Sequence, residues 1–284
     1  RRTCIGFFAS IEGRLMDIQI VTAPTVTKLG QEHVDQVLIA GSHGGVYAGY
    51  LAAKAGARAI ILNDAGGGLD GAGFASLSYL DDLRRPGATV AHDSARIGDG
   101  DDMAVRGIIS HVNETAAALG CAVGQTAMAC AEAMRGAPSP SGEAPAYEEA
   151  RFLFSNHGES PAIWGIDSAS LLNTDDVGQI VLTASHGALL GGEAASAIKY
   201  DVLACAFNDA GVGIENIGVS RLPALDQRKI AAVTVDCQTA RLGDARSMWL
   251  TGMVSHVNET AAALGVAVGG SLQEFAKKAQ SGES

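Results

Sequence analysis

The chain has 284 residues, enough for one large domain or two smaller ones, and is 47% hydrophobic but only 18% charged and 5% aromatic. A net charge of −11 argues against nucleic acid, whose binding needs clustered Lys and Arg to displace counterions. No apolar run approaches the roughly 20 residues that span a bilayer, so no membrane partner is expected.

Residues 1–15 carry two arginines, a short apolar patch and "IEGR", a protease recognition sequence used to remove tags. They read as a tag remnant or mistranslated leader, with Met16 the natural start. The first fold segment is "IQIVTAPTVT" at Ile18, followed by the β-branched run "QVLIAG", which ends in Ser-His-Gly before an Ala-rich helical segment. "ARAIILND" is a continuous apolar run, the pattern of a strand covered on both faces, and ends in the loop "AGGG". "GATVAHDSARIGDG" repeats the scheme a third time. In "MAVRGIISHVNETAAALG", Ile109, Val112, Ala116 and Leu119 fall at helical spacing, with Gly120 placed to end a helix. "RGAPSPSGEAPAYEEA" has no apolar period and reads as a linker over 136–160.

The same order then recurs. "SHVNETAAALG" stands at Ser110 and again, letter for letter, at Ser255. "NDAGGGLDGAGF" at Asn63 answers "NDAGVGIENIGV" at Asn208, and "AGSHGG" at Ala40 answers "TASHGA" at Thr183. The expected architecture is therefore α/β, a tandem duplication of a βαβαβα unit over 16–135 and 161–284. The sheets should be mostly parallel and the two halves pseudo-symmetric.

In parallel sheets, ligands sit beyond the carboxyl ends of the strands, where loops feed helix N-termini. The polar residues shared by both halves fall in those loops, and each has a bland and a functional reading. Ser42/His43 and Ser185/His186 are either a capping serine with a satisfied histidine, or binding and acid–base groups at a helix N-terminus. Asn63-Asp64 and Asn208-Asp209 are either Asx-turns or a binding amide beside a carboxylate that serves as base or orients a histidine. Arg96 and Arg241 either pair locally with Asp99 and Asp244 or form forks gripping a substrate anion. His111 and His256, with Asn113, Glu114 and their counterparts, are expected on a polar helix that packs between the halves, with substrate contact as the second reading. Asymmetry singles out His92, which faces Cys237, and Asp93, which faces Gln238. Cys237 is either a buried small residue or a thiol nucleophile.

Walker, G-x-S-x-G and H-E-x-x-H motifs are absent from the sequence, so neither a cofactor nor a metal is expected. Five cysteines without C-x-x-C spacing read as reduced thiols of a cytoplasmic protein. The leading expectation is a hydrolase or related acid–base enzyme acting on a small polar, anionic molecule between the halves. A ligand-binding or sensor protein is the alternative, as is a homo-oligomer built through the repeated helix.

Overall fold

The computed structural model describes residues 18–155 and 158–282; the reading of residues 1–15 and of Met16 lies outside them. The first half runs β1 (Ile20–Ala23), β2 (Val37–His43), α1 (Val46–Lys54), β3 (Ala59–Asn63), α2 (Ser76–Asp82), β4 (Gly87–Val90), α3 (Gly100–Arg106), β5 (Ile109–Val112), α4 (Glu114–Ala117) and α5 (Ala127–Met134). The second half runs β6 (Arg151–Leu153), β7 (Ile163–Ile166), β8 (Ile180–His186), β9 (Ala204–Asn208), α6 (Arg221–Gln227), β10 (Ala231–Val235), α7 (Ala245–Thr251), β11 (Val254–Val257), α8 (Glu259–Ala262) and α9 (Leu272–Ser281). The chain is thus α/β, with two mostly parallel sheets of five and six strands.

Strands β1 to β4 pair in parallel in sequence order, and β5 closes the first sheet antiparallel. Alternation along the apolar runs divides each strand between two faces. Leu38, Ile60 and Leu62 pack against Ala48 and Ala52 of α1 and Leu80 of α2. Ile39, Ile61 and Val90 pack on the other side against Met103 of α3 and Cys130 and Met134 of α5. The second sheet repeats this order from β7 to β11. Among the described residues, no helix is long and apolar enough to cross a membrane.

Three segments differ from the sequence reading. The expected helix over "IISHVNETAAALG" is the edge strand β5 followed by a short capped turn of helix, and β11 with α8 repeats it. The helical spacing of Ile109 and Val112 is coincidental. Gly107 ends α3, and the β-branched residues beyond it pair with β4. The repeated peptide is therefore not a helix through which subunits could join.

Its asparagine explains the repetition. Asn113 Oδ1 accepts from Gly87 N and Ala116 N at 2.9 Å each, and Nδ2 donates to the Arg85 carbonyl at 2.8 Å. Asn258 makes the same three bonds, with Ala232, Ala261 and Ile230. Each asparagine thus fastens the start of a central strand to the turn that follows the edge strand.

The second departure follows β8. In the first half a regular helix, α1, comes after Ser-His-Gly. In the second half two 3₁₀ turns, Leu190–Gly192 and Ala194–Ser196, replace it, with Gly191 and Gly192 both at positive φ. Thirdly, the segment read as a linker contains β6, which pairs antiparallel with β7. That segment also lies over the first half, where Arg58 bonds Ser139 Oγ at 3.0 Å and Tyr79 bonds the Pro145 carbonyl at 3.1 Å.

The two halves meet carboxyl rim to carboxyl rim. Leu69 N donates to the Cys237 carbonyl at 2.8 Å, and reciprocally Ile214 N donates to the His92 carbonyl at 2.9 Å. A Cβ on Gly66 would lie 2.7 Å from the Gly211 Cα, so both glycines are required where the rim loops cross. Ala65, Ala72, Ile97, Ala188, Ala210 and Leu242 form a small apolar seam around the crossing.

Candidate functional site

Most of the polar residues shared by both halves are committed to the scaffold. Ser42 Oγ accepts from Val26 N and donates to Thr25 Oγ1, while Ser185 Oγ accepts from Ala169 N. Each serine therefore ties down the turn after its half's first parallel strand. Asn63 and Asn208 are fully buried. Their Oδ1 atoms accept from Ala65 N and Ala210 N at 2.9 Å, closing Asx-turns.

Asp64 and Asp209 hold neighbouring loops in the same way. Asp64 Oδ1 accepts from Gly66 N and His92 N, and Asp209 Oδ1 accepts from Gly211 N and Cys237 N. The first half adds a side chain: His92 Nδ1 sits 3.0 Å from Asp64 Oδ1. Burial alone would raise the Asp64 carboxyl, but the hydrogen bond and charge of His92, together with hydrogen bonds from Ser110 and Gly66, hold it below its ordinary value. The same hydrogen bond raises His92. Asp64 thus orients a histidine, though His92 rather than His43.

Arg96 and Arg241 reach across the crossing. Arg96 Nε donates to Glu215 Oε2 at 2.7 Å, and Arg241 Nε donates to Asp70 Oδ2 at 2.8 Å. These reciprocal pairs link the halves, and the carboxylates stand where a substrate anion was expected. His111 stacks on Phe74 with ring centroids 4.0 Å apart, and its Nδ1 meets Thr89 and Ser110. His256 meets Thr234 and Ser255. Neither histidine lines a hollow between the halves.

Cys237 is buried, and burial with the carboxylates of Asp209 and Asp236 pushes its thiol up to about 12. That opposes the thiolate a nucleophile needs. These three residues can bring one donor atom each within 4.8 Å of one another, the only such grouping among the described residues. Asp209 Oδ1 is already occupied by two backbone N–H groups, however, and Asp236 Oδ1 accepts from Gln238 N.

What remains is a hollow of about 210 Å³ at the carboxyl rim of the first sheet, reached by both halves and by the connecting segment. His43 stands at its wall, with Nδ1 accepting from Gly45 N at 3.1 Å. Burial lowers His43 to about 4, so the ring is neutral at neutral pH, and the backbone bond assigns its proton to Nε2. Gly45 precedes α1 with no side-chain cap, and with Ala48 N bonded to the Gly45 carbonyl, the N–H groups of Val46 and Tyr47, both lining residues, are those without a bond among the described residues.

Glu149, contributed by the connecting segment, also lines the hollow. Ser170 Oγ donates to its Oε2 at 3.0 Å, and Tyr47 and Ser168 also hydrogen-bond the carboxyl. Burial pushes Glu149 up to about 7 despite these donors. Tyr147 and Asp167 line the hollow too. Both Asp167 oxygens are occupied, by Ala245 N and Ala150 N.

Of the residues singled out from the sequence, His43 and Arg241 line this hollow. Ser185 and His186 line a second one, and the His43 and His186 rings lie 6.4 Å apart. Glu149, Tyr47 and Tyr147 were missed. For Tyr147 and Glu149 the available signal was "AYEEA", which sets an aromatic beside two carboxylates in a stretch otherwise mostly of Pro, Ser, Gly and Ala.

No family model, curated protein or solved structure matches the chain.

Proposed function

We propose that the chain is an enzyme that moves a proton on a small polar molecule held in the Glu149 hollow, with hydrolysis by an activated water as the leading reaction. The observation that carries the proposal is the presence of two unlike groups in the lining of one small hollow. Glu149 is a carboxyl poised near neutrality, and His43 is a neutral imidazole that can only donate through Nε2. A base is most effective when its pKa lies near the working pH. Preformed donors facing a developing oxyanion supply the complementary stabilisation. In this reading Glu149 takes a proton from water or substrate. Nε2 of His43 and the first N–H groups of α1 receive the negative charge that develops on the substrate oxygen. Tyr47 positions Glu149 and is itself raised, first by burial and then by that carboxyl.

The substrate fitting these walls has a carbonyl-like acceptor at one end and a donor or an attackable carbon at the other. A free anion is less suited, because Asp70, Asp167 and Asp244 share the lining with Glu149. The buried, free cysteines among the described residues suit a reducing compartment, and we place the protein in the cytoplasm on that ground.

A second reading, a binding or sensor protein, is favoured by the occupied hydrogen bonds of Ser42 and Ser185 and the raised thiol of Cys237, which leave no activated nucleophile. One experiment separates the two. Small amides, esters and lactams are screened for thermal stabilisation of the whole chain, and each hit is then incubated with it and followed by NMR. The enzyme reading expects product, a rate that rises with pH through about 7, and a loss of roughly 10²–10⁴-fold in Glu149→Gln. Hits that bind without turnover, or a Glu149→Gln variant as fast as the parent, would overturn it.

A further inference from the structure

The second hollow between the halves, about 310 Å³, has the opposite electrical character. It lies between the turn at Val26–Lys28, the turn at Ala169–Leu171 and the irregular loop after β8. Lys28, Lys199 and Arg221 line it together with several Ser and Thr hydroxyls, and no Asp or Glu lines it among the described residues. In a chain of net charge −11, three cations in one lining that holds no carboxylate are unexpected.

Arg221 is the decisive residue. Its side chain is buried, with only 5% of the residue exposed. Nε donates to the Ala188 carbonyl at 2.9 Å, and Nη1 donates to the carbonyls of Ser196 and Ala197. The guanidinium also lies 4.8 Å from the centre of the Phe207 ring. These bonds give it a structural task. Where α1 would satisfy its own carbonyls, the irregular loop of the second half uses Arg221. The first half has Ser76 at the matching place beside a regular helix.

That task leaves the charge itself unanswered. No acidic side chain pairs with Arg221, and no acceptor for Nη2 is found, among the described residues. A buried cation without a counter-charge is costly, and a bound anion removes the cost. His186 adds to the case. Burial first, then the charge of Arg221, hold it well below its ordinary value, and Nδ1 accepts from Ala188 N at 3.3 Å. The neutral ring therefore carries its proton on Nε2, as His43 does.

We propose that this hollow is an anion site, taking a small molecule with a phosphate or carboxylate group that meets Nη2 of Arg221 while Lys28 and Lys199 close over it. The site does not depend on the Glu149 reading, although Ser170 lines this hollow and also bonds Glu149. It supplies the anion-binding group that Arg96 and Arg241 do not, centred on Arg221, where the first half has Ser76.

Calorimetric titration of the whole chain with pyrophosphate, and separately with malonate, tests this at low ionic strength. One saturable site is expected, and whichever anion saturates it identifies phosphate or carboxylate as the preferred group. A Lys28→Ala/Lys199→Ala variant should bind roughly tenfold more weakly, as expected when two exposed charges are removed. Because Arg221 also supports the loop, the exposed lysine pair keeps the test independent of folding, and Arg221→Lys is informative only where its melting curve matches the parent. Anion binding is read by calorimetry with these two anions and proton transfer by product formation from the amide and ester hits, so failure of this site and failure of the proton-transfer reading are told apart. No saturable binding of either anion at millimolar concentration, or parental affinity in the lysine variant, would overturn the proposal.

Discussion

Asn113→Ala is the sharpest test of why the eleven-residue peptide occurs twice. The side chain is 4% exposed and answers two backbone N–H groups, at Gly87 and Ala116, and one carbonyl, at Arg85. Truncation leaves all three without partners. An unsatisfied buried polar group costs about 1–3 kcal/mol. Water entering the space left by the carboxamide recovers part of that, so the expected loss is roughly 3–6 kcal/mol. A helix cap alone would cost only about 1 kcal/mol. Urea unfolding followed by circular dichroism measures the difference, with an unchanged slope confirming that stability moved and not the denatured state. Asn113→Asp keeps the acceptor and loses the donor to Arg85, so it should fall between the two. Asn258→Ala should reproduce the loss in the second half. A drop near 1 kcal/mol in both alanine variants would refute the three-bond fastening and reduce each asparagine to a cap.

Two further outcomes follow from the crossing of the halves. Gly66→Ala places a Cβ 2.7 Å from Gly211 Cα and 3.1 Å from Cys237 Sγ at φ +77°, and should cost about 2–4 kcal/mol in a thermal melt. Gly67→Ala, at φ +72° but with its nearest atom 3.7 Å away, should cost only the backbone part, about 1 kcal/mol, and equal losses would refute the close approach. The Asp64–His92 pair predicts a pH dependence. His92 is raised in the folded chain, so its stabilisation is full below its ordinary value of 6.5 and is lost as pH rises through the folded value. Asp64 is lowered, so its share is full above its ordinary value of 3.8. The melting temperature of the parent should therefore exceed that of His92→Gln most between those two values and converge with it in alkali; a constant gap would exclude the ion pair.

The central strands were legible because they carry their own signal. Leu38–Ala40 and Ala59–Leu62 are fully buried, or nearly so, in unbroken apolar runs that suit no exposed element. The edge strand β5 carried no such signal, since its residues also satisfied a helical period and only its pairing with β4 decides the matter. The site was less legible still. Arg96 and Arg241 each have an aspartate three residues on, Asp99 and Asp244, but their closest carboxylates are Glu215 and Asp70 in the other half, a contact that only the crossing creates. Glu149 lies in a stretch with no period at all, and burial between two halves, invisible in the chain order, gives it its chemistry.

Most of the polar residues retained in both halves serve the scaffold, with His43 and His186, which line the hollows, as the exception. Asn63/Asn208, Asp64/Asp209 and Asn113/Asn258 recur because each fastens the same loop or turn in each half. Several groups that line the two hollows have no counterpart in the other half. Glu149 belongs to the connecting segment, Arg221 faces Ser76, and Lys28 faces Leu171. A symmetric pair of rims would have given two equivalent hollows. Replacing the second half's helix with the loop that Arg221 supports makes one hollow acidic and the other basic. The His43 and His186 rings, one at each hollow, lie 6.4 Å apart, so the two unlike linings are close neighbours.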